Sequence, residues 1–287
     1  MWLWLGLGAA LGDTAIDVVT KRFFAHLPPY GMAVARLSCG LPFLMVMLWV
    51  ITWPRLDLSF FLLVAAMLPL EIAAYLLYMK ALKVFHLSLC VPFLAFTPAF
   101  LIVTGWLFLG ESLSLWGIWG TLLIAGGSYL LGLAPGRMGL LAPFKALVHE
   151  PGARYMLLVS AIYSITAAMF KVGVLKTSPV FFGVFYPILF TVIMFAGYGW
   201  RERVVGPALK ARWGWGLVQG LFMALSWMCL SYGMNLAPAT YLVAVKRLSL
   251  LMTVAAGGLW LQERPILPRL LAAALMCAGV AIISLKG

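Results

Sequence analysis

The sequence predicts an all-α integral membrane protein of ten transmembrane helices, arranged as two inverted five-helix repeats. Three observations carry that reading. First, 64% of the 287 residues are hydrophobic and only 10% are charged, too little polar surface to coat a water-soluble globule of this length. Second, the apolar residues fall into runs of about 20, enough at about 1.5 Å per residue to cross a hydrocarbon core of about 30 Å. Third, the stretch Pro238 to Glu263 aligns without a gap on His86 to Glu111, so that Glu263 falls on Glu111.

Breaks of Pro, Gly and charge delimit the ten spans. They run Trp2 to Phe24, Tyr30 to Thr52, Leu58 to Leu82, Leu87 to Leu109 and Leu115 to Leu133, then Arg154 to Leu175, Val180 to Trp200, Trp213 to Leu236, Ala239 to Leu261 and Ile266 to Leu285. The first span starts apolar but lacks a basic leader, and Asp13 and Asp17 interrupt it, so it reads as a span and not as a signal peptide. Alternating polarity, which barrel strands need, is absent. The break at 134–153 is rich in Pro and Gly and reads as a linker with at most one interfacial turn. It separates a first repeat, 1–133, from a second, 154–287.

Further equivalences support the repeat. Lys21 matches Lys171, Pro29 matches Pro179, and Ala125-Gly126-Gly127 matches Cys277-Ala278-Gly279. Because five is odd, the second copy crosses the membrane in the opposite sense, a pattern typical of secondary transporters with a midplane site.

The formal charge of +12 would suggest nucleic acid in a soluble protein. Here the cations sit mostly in short breaks, where they act as topology signals and headgroup contacts. No nucleic-acid partner is expected; membrane lipid and a small metabolite are. Cys39, Cys90, Cys229 and Cys277 lie in apolar runs without CxxC spacing, which points to buried thiols and not to a disulfide framework or metal site. No phosphate-binding GxxxxGK[ST] loop is present, and no cofactor is expected.

Ionisable residues at depth are costly in lipid and should face a partner or a wet cavity. Counting from the face where the first span starts, at about 1.5 Å per residue, Asp13 lies at about 15 Å, Glu71 at about 20 Å, Asp17 and Arg36 at about 21 Å, and Lys246 and Arg247 at about 12 Å. Three acids and three bases thus share one slab. Asp13 and Asp17, spaced i and i+4, share a helix face. Arg36 is the natural counter-ion of Asp17 or Glu71, and these pairs either line a site or hold the first three spans together. Lys246 and Arg247 diverge by about 100° on a regular helix and so should not both face one cavity; one snorkels or pairs with Asp13. They replace Leu94 and Ala95 of the first copy and are candidates to hold a substrate carboxylate or phosphate. Tyr75, Tyr78, Tyr163, Tyr186, Trp227 and Tyr241 are candidate cavity aromatics, although packing and interface belts use the same residues. Pro92 and Pro98 free backbone carbonyls and either line the site or kink the fourth span.

These motifs resemble the EamA unit of the drug/metabolite transporter superfamily. The carrying residues are Leu109-Gly110-Glu111 followed by Gly126-Gly127, more loosely Leu261-Gln262-Glu263 followed by Gly279, the Lys at the ends of the first and sixth spans, Arg36, and Tyr78-Met79-Lys80-Ala81-Leu82. Gln262, where Gly is usual, and Lys246-Arg247 depart from the pattern. The resemblance implies a cavity lined by spans one to four and six to nine, with spans five and ten outside it. Glu111 and Glu263 read as caps of the following helices or as partners of nearby cations.

The expectation is a secondary transporter of a small polar or charged metabolite, a monomer, multi-pass in the cell membrane. It works by alternating access, with proton coupling, exchange or facilitated diffusion all compatible. A lipid or lipid-linked carrier flippase on the same scaffold is an alternative. A membrane enzyme is another, but His26, His86 and His149 stand alone. Positive charge is concentrated where the first span ends, which would put the termini outside the cytoplasm, whereas the family resemblance implies termini inside it.

Overall fold

A computed structural model describes residues 1–24, 26–84, 91–133, 142–199, 205–261 and 267–287. All regular secondary structure among them is helical, with no strand. The α-helices are α1 (Trp2–Val19), α2 (Pro29–Ser38), α3 (Leu41–Val50), α4 (Leu58–Val84), α5 (Thr97–Leu109), α6 (Leu115–Gly132), α7 (Ala142–His149), α8 (Pro151–Lys176), α9 (Pro179–Met194), α10 (Val205–Ala211), α11 (Trp213–Leu236), α12 (Ala239–Lys246), α13 (Leu248–Leu261) and α14 (Leu267–Lys286). Wider π turns extend α1 through Thr20–Phe24 and α9 through Phe195–Gly199, and a 3-10 turn, Val91–Phe96, leads into α5.

Among the described residues, seven segments are long and apolar enough to cross a membrane: Trp2–Phe24, Tyr30–Val50, Leu58–Ala81, Pro92–Leu109, Pro151–Lys176, Pro179–Gly197 and Trp213–Leu236. Leu115–Leu131 and Leu270–Lys286 are shorter apolar helices. The ninth predicted span falls short of one continuous helix because it divides at Arg247 into α12 and α13. The protein is thus a multi-pass integral membrane protein. The linker holds more order than its Pro and Gly suggest, since α7 forms inside it; 134–141, and with them Arg137, lie outside the described residues. Gln262, Glu263 and His86 lie outside them as well.

Local chemistry fixes the breaks. Pro opens α2, α8 and α9 at the first helical positions, where the missing N–H is not needed. The second span splits at Cys39–Gly40. A Cβ added to Gly220 of α11 would overlap the Cys39 carbonyl, so only glycine lets α11 approach there. Gln219, fully buried beside that break, accepts from Thr20 Oγ1 at 3.3 Å and donates to the Arg36 carbonyl at 3.4 Å. At the end of α5, Gly110 takes a left-handed φ of +65°, which turns the chain so that Glu111 points back into the bundle.

Helix partners come in exchangeable pairs under the repeat equivalence. α1 packs on α11 as α4 packs on α8; α3 packs on α9, α5 on α12, and α6 on α14. The ends sort to match. On one face Lys286 lies over the Trp116 ring and Lys176 Nζ donates to Ser59 Oγ at 2.6 Å; on the other Lys80 lies over Tyr155, and Phe23 stacks on Trp215 with Arg212 over its ring. The largest buried cluster brings Phe60, Phe170, Phe181, Phe182, Tyr186 and Phe190 together. Of these, Phe170 and Phe190 reach the central cavity and the others stand behind them.

Candidate functional site

The cavity has a volume of about 270 Å³ and receives side chains from α1, α2, α4, α5, α8, α9, α11, α12 and α13 together with the 3-10 turn. Among the described residues, none of α6 or α14 lines it. Those two helices pack on each other through Gly120, Gly127 and Gly279.

Ten of the predicted site residues line the cavity: Asp13, Asp17, Arg36, Glu71, Tyr75, Tyr78, Tyr163, Trp227, Lys246 and Arg247. The acids and bases meet much as the depth arithmetic required. Arg36 Nη1 lies 2.7 Å from Asp17 Oδ1. Lys246 Nζ lies 3.0 Å from Asp13 Oδ2, while Ser226 Oγ donates to Asp13 Oδ1 at 2.7 Å. These four charged side chains are 18–31% exposed, because they border the cavity.

Glu71 stands apart. It comes off α4 facing Thr166 of α8 and has no cation within ion-pair distance among the described residues. Arg247 likewise has no acidic partner, and its Nε is buried without a hydrogen bond. The Tyr75 hydroxyl is also unpartnered.

Two tyrosines are corrected. Tyr186 is fully buried, packed among Phe170, Phe182, Phe190 and Trp227, with its hydroxyl unpartnered. It stands behind the cavity wall and not in it. Tyr241 is 5% exposed and turns toward α6, where its ring occupies the space that a Cβ on Gly117 would take, beside Trp2. A phenol on a helix can face any neighbour, so residue type alone did not reveal this.

A third correction concerns Lys246 and Arg247, which both line the cavity. A divergence of about 100° holds only on a continuous helix, and here α12 ends at Lys246 and α13 begins at Leu248. Arg247 N–H bonds the Ala244 carbonyl at 3.0 Å, a tightened last turn that redirects the following side chains. The equivalent residue of the first copy, Ala95, sits in the 3-10 turn just before α5. Both equivalent helices therefore change geometry at the same repeat position, and both changes border the cavity through Leu94, Thr97, Lys246, Arg247 and Ser249. Pro98 falls in the first turn of α5, where it breaks no hydrogen bond; neither Pro92 nor Pro98 lines the cavity.

Sequence reasoning missed the small polar and soft apolar lining: Thr97, Thr166, Ser226 and Ser249, with Met67, Phe170, Phe190, Met223 and Met234. No spacing distinguishes these residues from packing ones.

Away from the cavity, Glu111 forms an ion pair with Lys171 at 2.6 Å, and its two oxygens accept from Ala239 N–H at 3.0 and 3.1 Å. It pairs with a cation as expected, but the helix it caps is α12 and not the following α6. Ser114 caps α6 by accepting from Gly117 N–H at 2.9 Å.

Comparison with known proteins agrees with this architecture. A family model described as the EamA-like transporter family matches residues 1–133 and 150–285. A solved structure described as "Crystal structure of protein" superposes with a TM-score of 0.80, covering 100% of this chain and 99% of that chain at 14% identity. Likeness at that identity concerns the fold alone. No curated protein matches the sequence.

Proposed function

The chain belongs to the EamA-like transporter family of the drug/metabolite transporter superfamily, and from that premise we propose that it is a secondary transporter that moves a small polar or charged metabolite across the cell membrane by alternating access. The observation that carries this reading is the Asp13–Lys246 pair, which links the first half to the second at the border of the central cavity. Exchangeable helix pairs support two five-helix repeats, 1–133 and 154–287, crossing the membrane ten times in all. In that arrangement the repeats rock about a fixed central site.

Asp13, Asp17, Arg36, Glu71, Tyr75, Tyr78, Trp227, Lys246 and Arg247 form the substrate site in this reading, with Arg247 holding a carboxylate or phosphate. A cavity of about 270 Å³ lies just below the range of about 300–1,000 Å³ typical of drug-sized ligands, which favours a small solute. The broken helices at Arg247 and at Phe96–Thr97 fit a site at which backbone irregularity borders a wet cavity.

The test is uptake or counterflow by protein reconstituted in liposomes against a panel of soluble metabolites. Asp13→Asn, Arg36→Gln and Lys246→Gln should each abolish flux while the protein still elutes as a folded particle. Unchanged flux in all three would remove the site assignment.

A further inference from the structure

We propose that the outer end of the seam between α1 and α11 holds the headgroup of an anionic phospholipid, its phosphate between Arg22 and Arg212. The site lies outside the central cavity and does not depend on what that cavity carries.

Close packing builds the seam. α1 and α11 run antiparallel: Gly8 meets Cys229, Gly12 meets Ser226, Thr20 bonds Gln219 and Phe23 stacks on Trp215. That register brings the end of α1 beside the start of α11, and the π turn Thr20–Phe24 resets the helical phase just there. α10 packs on α2 and α11, with Ala208 buried in one cluster with Val19, Phe24 and Leu27, and so carries Lys210 to the same end. Lys21, Arg22, Lys210 and Arg212 are all exposed. The guanidinium carbons of Arg22 and Arg212 each lie 5.7 Å from the centroid of the Phe23 ring, on which Trp215 stacks at 4.6 Å. Two guanidinium forks thus share one aromatic platform.

Charge complementarity names the partner. In segments 20–28 and 200–212 six cations stand against one acid, Glu202, which lies outside the described residues together with Arg201 and Arg203. Lys21, Lys210 and Arg212 enter no ion pair among the described residues. Guanidinium forks match phosphate oxygens, and cations just beyond a membrane span attract anionic headgroups. The exposed rings of Trp213 and Trp215 suit the headgroup level. Leu11 of α1 and Val218, Leu221 and Leu225 of α11 are exposed further along the two helices and offer an apolar flank to an acyl chain. A soluble anion would use the cations and not that flank.

The repeat supplies an internal control. The positions equivalent to Lys21, Arg22 and Phe23, 150 residues on, are Lys171, Val172 and Gly173, and Lys171 turns inward onto Glu111. The equivalent pairing, α8 on α4, therefore forms with no exposed cation or ring at these three positions. The cluster is not required to pack the seam.

The experiment uses the full chain in neutral detergent, with lipid binding read by native mass spectrometry. The probes are phosphatidylglycerol and phosphatidylcholine with the same acyl chains, and glycerol phosphate as a free headgroup. Phosphatidylglycerol should bind about five-fold or more tighter than phosphatidylcholine, the discrimination that one cation near an anionic headgroup supplies. Arg212→Gln should remove most of that preference, with Lys210→Gln in its place if Arg212→Gln does not fold. Phe23→Ala should weaken the preference without changing the charge. Lys145→Gln, at an exposed cation of α7, which packs on α8, should leave it intact. Equal affinity for the two lipids overturns the proposal. So does an equal loss in Arg212→Gln and Lys145→Gln, which would make the attraction a diffuse effect of net charge. Displacement of phosphatidylglycerol by glycerol phosphate would overturn the lipid assignment, since the acyl flank would then contribute nothing.

Discussion

Lys246 Nζ sits 3.0 Å from Asp13 Oδ2, joining residues that are far apart in sequence and belong to opposite halves of the chain. Each is about a quarter exposed, so water in the cavity weakens the pair below the 3–5 kcal/mol typical of breaking a fully buried one. Asp13→Asn or Lys246→Met alone is expected to cost about 1–3 kcal/mol, with a coupling of about 0.5–3 kcal/mol in the double-mutant cycle. Thermal unfolding of the four proteins in one detergent measures it. Strictly additive losses would mean that the two side chains do not communicate.

Arg36 and Asp17 illustrate the difference between charge and shape. The guanidinium reaches Asp17 at 2.7 Å, while the Arg36 carbonyl is held by Gln219. Arg36→Lys keeps the charge on a shorter stem with a point-like head. It should retain folding yet lose part of the pair, destabilising the protein by about 1 kcal/mol, and Arg36→Met should cost more. Equal melting temperatures for wild type and both variants would contradict the ion pair as a holding contact.

Much of this was readable from composition and spacing. Trp213–Leu236 coincides with the predicted eighth span because Arg212 and Ala237-Pro238 punctuate both ends. Counting 1.5 Å per residue brought Asp17 to Arg36 and Asp13 near Lys246, since a helix converts sequence position directly into depth. What stayed hidden depends on rotation and on tertiary contact. No Gly or Pro marks the break at Arg247, and nothing near Glu111 says that its target is the start of α12, more than a hundred residues on. Tyr186 and Tyr241 share residue type with Tyr75 and Tyr78 but face packed neighbours. Helices α7 and α10 are too short to show clear periodicity.

Glu111 serves two partners at once, the Lys171 ammonium and the Ala239 N–H. Glu111→Gln retains an acceptor for the N–H but leaves Lys171, only 12% exposed, without its counter-charge. A cap contributes about 1 kcal/mol and the buried pair more, so Glu111→Ala should lower stability by about 3 kcal/mol or more and Glu111→Gln by less. Because the pair lies outside the cavity, ligand preference among the surviving protein should not change. A shift in preference with unaltered stability would assign Glu111 to the site after all.

Asp57 precedes the span Leu58–Ala81 and caps α4 from outside it. The Ser59 hydroxyl, donating at 2.7 Å, and the Phe60 N–H, donating at 2.9 Å, hold its carboxyl below the usual Asp range, with Lys176 adding a smaller pull. The pKa is lower in the folded state, so the contribution is fully present above the unfolded Asp value of about 3.9 and is lost as pH falls through the lower folded value. Melting curves of wild type and Asp57→Asn between pH 7 and pH 3 should therefore converge toward the acid end. A difference that stays constant across this range would rule out the carboxylate as the titrating cap.

Gly126 and Gly127 are adjacent in α6, yet they should respond oppositely to the same substitution. A Cβ on Gly127 would fall 2.6 Å from Met276 Cγ and 2.7 Å from the Ala272 carbonyl oxygen of α14. The methionine can turn aside, but a backbone oxygen cannot without moving its helix, so Gly127→Ala should cost about 1–3 kcal/mol of overpacking. A Cβ on Gly126 meets nothing within 4 Å, and there alanine gains about 0.5–1 kcal/mol of helix preference. The contact between α6 and α14 also involves Gly120 and Gly279, where an added Cβ on Gly279 would lie 2.5 Å from the Gly120 carbonyl oxygen, so Gly279→Ala should behave like Gly127→Ala. Close backbone approach through small residues is how helices associate in lipid, where burial of apolar surface supplies no drive. Thermal unfolding of the three single variants decides the matter: a loss at Gly126 equal to that at Gly127 would mean that the glycines act through flexibility and not through the packing of α6 on α14.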